Sequence, residues 1–155
     1  MVGRLQREIG KREPFACPEQ EAALNVSLTS DQLRIRFERL FRRHGLTPSQ
    51  YNVLRILRGV GEALSCGEIA ARMITREPDM TRLLDRLEKR ALVSRCRQQT
   101  DRRVVKVKIT AKGLELLASL DEPVLRMHRK QLGHLGPTKL KQLISLLEEA
   151  REAPQ

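Results

Sequence analysis

The sequence predicts a mainly α chain carrying one small two-stranded β element. Three observations predict it. Apolar residues recur at a helical period through most of the chain. Helix-start signals recur at Cys17-Pro18, Thr47-Pro48, Ser65-Cys66 and Thr110. The period switches to two over one stretch only, between Val93 and Ile109.

Residues 1–16 alternate charge and polarity and read as a flexible basic arm with no signal-peptide core. The first predicted helix opens with Cys17 at the cap, Pro18 at the first helical position and acid in the first turn. Leu33, Phe37, Leu40, Phe41 and His44 follow at helical spacing, and Gly45 ends the helix near Arg43. At about 26 residues it is long for a single globular helix, a length suited to packing against a second chain. Thr47-Pro48-Ser49-Gln50 is a capping box for a second helix, with Tyr51, Leu54, Ile56, Leu57 and Val60 as its core face and Gly59 and Gly61 as its stop. Ser65-Cys66-Gly67-Glu68 is another, leading a short helix with Ile69, Ala70 and Met73 inward. Thr75 and Pro78 open a fourth helix that runs through Arg90, with Met80, Leu83, Leu84 and Leu87 as its buried stripe.

Val93, Arg95 and Arg97, then Val105, Val107 and Ile109, alternate with their neighbours around the polar segment Gln98 to Arg103, which is the pattern of a β-hairpin. Thr110 caps a fifth helix with Leu114, Leu117 and Leu120, which Pro123 is expected to bend; Gly136-Pro137 opens a last one with Leu140, Leu143, Ile144 and Leu147. Three short helices followed by a two-stranded wing is a winged helix-turn-helix. The flanking helices carry more apolar surface than so small a module covers, so they are expected to dimerise. The predicted organisation is a basic arm (1–16), an N-terminal dimerisation helix (17–45), a winged helix-turn-helix (46–110) and C-terminal dimerisation helices (111–155).

Charge narrows the function. The 155 residues hold 30 Lys+Arg against 19 Asp+Glu, a formal net charge of +11, and such a field attracts polyanions. The aromatics are Phe15, Phe37, Phe41 and Tyr51, with no Trp, too few for base-stacking single-strand modules. No apolar run approaches the ~20 residues that cross a bilayer, so a soluble, cytoplasmic protein is expected. The basic residues are not gathered on one amphipathic helix, which argues against a membrane-surface role. Cys17, Cys66 and Cys96 suggest neither a disulfide framework nor a zinc site. His44, His128 and His134 sit in no nucleophile or metal constellation and there is no Gly-rich phosphate loop, so neither an enzyme nor a cofactor is expected.

On a 3.6 period Arg76, Asp79, Arg82 and Arg86 share one face of the fourth helix, opposite Met80, Leu84 and Leu87, with Thr81, Asp85 and Glu88 beside it. A helix in the major groove needs such a strip: Arg forks onto guanine O6 and N7, and a carboxylate accepts from cytosine N4. The plainer alternative is a solvated face with pairs such as Asp85–Lys89. The wing adds Arg95, Arg97, Arg102, Arg103, Lys106 and Lys108, most of which should touch phosphate or nothing.

The run Met80-Thr81-Arg82-Leu83-Leu84-Asp85-Arg86-Leu87-Glu88-Lys89-Arg90, then Leu92-Val93, Asp101-Arg102-Arg103 and Ile109-Thr110-Ala111-Lys112-Gly113, resembles the MarR family of bacterial transcriptional regulators. So does the upstream segment Gly45 to Leu54, and the resemblance covers residues 17–150. It implies a homodimer on a pseudopalindrome in double-stranded DNA, with Thr81, Arg82 and Arg86 facing the bases. Asp101 and Arg103 match the wing-tip acid and the arginine that enters the minor groove. Asp101 then either braces the Arg103 side chain or forms the turn. The helix entry Thr75-Arg76-Glu77-Pro78-Asp79 departs from the Ser/Thr-rich cap of many relatives, which leaves the target sequence open. The resemblance also implies a repressor released by a small anionic or phenolic effector. Phe37, Phe41, His44 and Tyr51 are candidates to line its pocket and Arg42 and Arg43 to meet an anion; the alternative for the aromatics is core packing. Cys17 at a helix start is a candidate redox sensor, and non-specific architectural DNA binding is a further alternative.

Overall fold

Caps and apolar spacing lay out the elements in the predicted order. The computed structural model, which describes residues 3–152, runs α1 (Arg4–Glu8), α2 (Pro18–Arg42), α3 (Pro48–Val60), β1 (Leu64–Ser65), α4 (Cys66–Ala70), α5 (Met80–Lys89), β2 (Val93–Arg97), β3 (Val105–Ile109), α6 (Ala111–Leu132), a 3-10 turn (Gly133–Leu135) and α7 (Gly136–Arg151). The outermost residues of the predicted arm, Met1 and Val2, and of the C-terminal region, 153–155, lie outside the described residues. The chain divides into two compact units, Met1–Phe37 and Glu38–Gln155, with the boundary inside α2. None of the described helices is long and apolar enough to cross a membrane.

The first unit corrects one expectation. Within the stretch read as a loose arm, Arg4–Glu8 is helical. Arg4 Nε meets Glu8 Oε1 at 2.7 Å one turn later, Leu5 is 2% exposed, and Gln6 Nε2 donates to the Arg12 carbonyl at 3.2 Å. An apolar anchor with a local ion pair holds a turn that charge alternation alone does not announce. Residues 9–17 form no regular element, and from Pro18 to Phe37 the unit is the first part of α2, where Leu24, Val26 and Ile35 are exposed.

In the second unit Thr47 Oγ1 accepts from the Gln50 N–H and Gln50 Oε1 accepts from the Thr47 N–H, so the capping box of α3 is complete. Gly59 lies inside α3, and Gly61 alone ends it, at φ +77°, a backbone that favours glycine. Val53, Leu54 and Leu57 form the buried face of α3, while Val60 is exposed. The box at Ser65 and Glu68 likewise starts α4, in which Ile69 is buried and Ala70 exposed.

The fourth predicted helix starts later than its Thr75 and Pro78 suggest. α5 begins at Met80, and the Asp79 carboxylate caps it by accepting from the Arg82 N–H at 3.0 Å. A side-chain acceptor at Asp79 outcompetes the Pro78 start signal. Met80, Leu83, Leu84 and Leu87 are buried, as the stripe predicts.

β2 and β3 form the antiparallel wing, pairing Val93 with Ile109, Arg95 with Val107 and Arg97 with Val105. β1 adds a third strand to the other side of β3, in the order β1-β3-β2. Two residues are too few to carry a period, so no sequence pattern reveals it. Ala91, between α5 and β2, takes a left-handed φ of +57°. Thr110 caps α6, whose Gly113 faces the Leu92 carbonyl and the Ile109 side chain so closely that a Cβ would lie 2.7 Å from Ile109 Cγ1. Leu54, Leu57, Ile69, Leu84, Leu87, Leu92, Val93, Val107, Leu117 and Leu120 are almost wholly buried and make the core. α6 continues through Pro123, and α7 buries none of its residues, with Ile144 54% and Leu146 63% exposed. The mainly helical fold is a winged helix-turn-helix: α3, α4 and α5, then the wing.

Candidate nucleic-acid interface

α5 presents its apolar stripe to the core, which leaves Thr81, Arg82 and Arg86 exposed. The late helix start changes the roles of two other predicted residues. Arg76 is exposed in the irregular stretch before α5, off the helical face on which sequence spacing placed it. Asp79 is the cap, and its carboxylate is committed to the Arg82 N–H. Upstream, Asn52 Oδ1 on α3 accepts from the Ile74 N–H at 3.0 Å, tying the turn between α4 and α5 to the module.

At the wing tip the Gln98 N–H donates to the Val104 carbonyl and the Val104 N–H to the Asp101 carbonyl, each at 3.1 Å. Asp101 Oδ1 accepts from the Arg103 backbone N–H at 3.0 Å. Asp101 is therefore the turn-former; of its two readings, the side-chain brace on Arg103 is not what forms. Asp101, Arg102 and Arg103 are all exposed, as are Arg97 and Lys108.

Arg95 behaves differently from the other wing cations. Alternation places it on the face of β2 that buries Val93. Its Nη1 lies 2.6 Å from Asp85 Oδ1 and 3.4 Å from Glu88 Oε1 on α5, and its backbone N–H donates to Glu88 Oε2 at 3.1 Å. Asp85, which the plainer alternative paired with Lys89, is engaged by Arg95 instead. Arg90, the C-cap of α5, donates from its guanidinium to the carbonyls of Gly45 and, at 3.4 Å, His44, while Lys112 Nζ donates to the Arg90 carbonyl at 2.9 Å. Cations at carbonyl-rich helix ends are favourable. Sequence reasoning missed Arg90 because its partners lie 45 residues away.

Of the residues proposed for an effector pocket, Phe41 and Tyr51 stack on each other, with centroids 4.3 Å apart and planes 20° from parallel. Phe41 is buried, and burial pushes the half-buried Tyr51 hydroxyl above the usual tyrosine pKa. Phe37 and His44 are half-buried. An open groove of about 400 Å³ lies nearby, lined by Glu38, Arg42, Gly45, Leu46, Thr47 and Pro48. Cys17 is an exposed free thiol just before α2. No cluster of His, Cys, Asp and Glu among the described residues is arranged to hold a metal ion.

Comparison with known proteins places these features. The MarR family's sequence pattern matches residues 44–104, from the end of α2 to the wing tip. The MarR transcription factor from Planctomyces limnophilus, known from its crystal structure, is 44% identical; the match covers 87% of this chain and 98% of that one, with a TM-score of 0.68. The HTH-type transcriptional regulator FarR of Neisseria gonorrhoeae is 29% identical over 132 residues, 84% of this chain and 90% of FarR. The homoprotocatechuate degradative operon repressor of Escherichia coli is 28% identical over 113 residues, 73% of this chain and 76% of that repressor. A capped helix with an exposed Thr-Arg-Arg surface, a basic wing beside it and a near full-length relative at 44% identity together establish that this chain belongs to the MarR family of winged helix-turn-helix transcription regulators.

Proposed function

We propose that the protein is a ligand-responsive, homodimeric repressor that binds a pseudopalindrome in double-stranded DNA. The observation that carries this reading is the pairing of Thr81, Arg82 and Arg86, exposed on α5, with the exposed wing-tip residues Arg102 and Arg103. One set suits base edges in the major groove and the other the minor groove and its phosphates. Arg76 joins them as a phosphate contact from the turn before α5. Asp79 and Asp101 act through the elements they cap and turn.

Exposed apolar residues on α2 (Leu24, Val26, Ile35) and on α6 and α7 (Leu125, Ile144, Leu146) support dimerisation through residues 17–45 and 111–155, with 46–110 reading DNA. Two-fold symmetry then sets half-sites about 10–10.5 bp apart or a multiple. The groove at Arg42, Leu46 and Pro48 offers a cation and an apolar wall to a small anionic or phenolic effector, and repression agrees with the relative named as an operon repressor.

Selection of bound duplexes from a random pool, followed by footprinting, tests the proposal. Two protected, symmetry-related half-sites are expected. One asymmetric site, or equal affinity for every duplex, would overturn it; equal affinity is the behaviour of an architectural binder.

A further inference from the structure

A wing arginine on a MarR-type hairpin invites assignment to phosphate. Arg95 does not fit that role. Its side chain is 27% exposed, against 49% for Asp85 and 41% for Glu88. One guanidinium nitrogen approaches two carboxylates of α5, at 2.6 Å and 3.4 Å. The Glu88 carboxylate closes the ring by accepting the Arg95 backbone N–H with its other oxygen, at 3.1 Å. Recognition helix and wing strand are thus tied at side chain and backbone together.

Building on the DNA-binding reading above, we propose that Arg95 is a positioning residue for operator recognition, fixing the tilt of the wing against α5 so that Arg103 and the Arg82–Arg86 surface engage adjacent grooves at once. Only residues 90–92 join α5 to β2, so within the arc this short joint allows, the tie sets the hairpin's tilt. Arginine suits the task because its rigid planar guanidinium holds Nη1 between the two carboxylates in one orientation, whereas a lysine ammonium on a flexible stem fixes no such plane. The same contact sets one positive charge against Asp85 and Glu88 and so offsets part of the negative charge that would otherwise face a polyanion. Arg97, Arg102 and Arg103 have no carboxylate partner among the described residues, so the proposal concerns Arg95 alone.

The test compares Arg95→Gln, Arg95→Lys and the double variant Asp85→Asn/Glu88→Gln with the wild-type protein. Each is titrated with the selected operator and with a random duplex of equal length, across a salt series. If Arg95 positions, Arg95→Gln loses about tenfold in operator affinity, keeps its random-duplex affinity and keeps its salt slope; Arg95→Lys rescues little. If Arg95 contacts phosphate, Arg95→Gln weakens both duplexes alike and lowers the salt slope by about 1, and Arg95→Lys restores binding. The double variant separates the two without removing a cation. It frees Arg95, so a phosphate contact predicts tighter binding to both duplexes, whereas a positioning role predicts selective loss on the operator. Tighter or unchanged operator binding by the double variant overturns the proposal. Failure of the wild-type protein itself to prefer its selected operator overturns the reading of function, and this inference with it.

Discussion

Asp101 Oδ1 accepts the Arg103 backbone N–H at 3.0 Å, so the acid shapes the wing tip while the neighbouring guanidinium stays exposed. This division of labour separates two substitutions. Arg103→Ala should cost about 1–3 kcal/mol of operator binding at fixed salt, read by fluorescence anisotropy. Asp101→Asn keeps a side-chain acceptor and should bind nearly as wild type, whereas Asp101→Ala should weaken binding by loosening the tip. Equal losses for Asn and Ala would point back to a charge-based brace.

Gly113→Ala should be destabilising. A Cβ there would collide with the Leu92 backbone carbonyl and come within 2.7 Å of Ile109 Cγ1, and backbone does not yield as a side-chain tip does. Overpacking of this kind costs about 1–3 kcal/mol, despite the gain in helix propensity that alanine ordinarily brings. Urea unfolding measures it, with a lower midpoint expected.

Arg58 and Asp121 form a two-bond pair between α3 and α6, at 2.8 Å and 2.9 Å. The hydrogen bonds from Arg58 hold the Asp121 carboxyl below its ordinary range. A depressed folded-state pKa stabilises fully above the unfolded value, near 3.9, and this stabilisation is lost as pH falls through the folded value. The Asp121 side chain is 52% exposed, so the contribution should stay under about 1 kcal/mol. Thermal melts from about pH 6 down to about pH 2 should show wild type converging on Asp121→Asn at the acid end.

Thr47→Ala removes the acceptor for the Gln50 N–H and should cost about 0.5–2 kcal/mol. Thr47→Ser should recover most of it, because a hydroxyl at the cap is what matters. Chemical denaturation of the three proteins checks the order.

Local chemistry made most of the fold legible. Thr47 with Gln50, Ser65 with Glu68, and Thr110 with Gly113 each join residues three apart, and each cap forms where the sequence places it. Where the reading slipped, a competing local or distant partner decided. At α5 a proline signal yielded to the Asp79 carboxylate, which moved Arg76 off the helix. At Asp101 the nearest donor was a backbone N–H rather than the guanidinium two residues on. Arg95 was half legible: alternation puts it on the inward face beside Val93, yet its partners Asp85 and Glu88 are known only once helix and strand pack. Arg90 was not legible, since nothing near it hints at the carbonyls of His44 and Gly45.

Ala91 stands between α5 and β2 in a conformation that glycine adopts freely and alanine resists, at a cost of about 1 kcal/mol. The consequence is mechanical. A glycine hinge would let the hairpin swing through many tilts; a Cβ in the left-handed region admits a narrow arc. With that arc narrow and Arg95 holding β2 to α5 beside it, helix and hairpin travel as one lever. On the DNA-binding reading proposed above, a displacement of the helix would carry the hairpin with it, so both would leave the duplex together rather than one after the other.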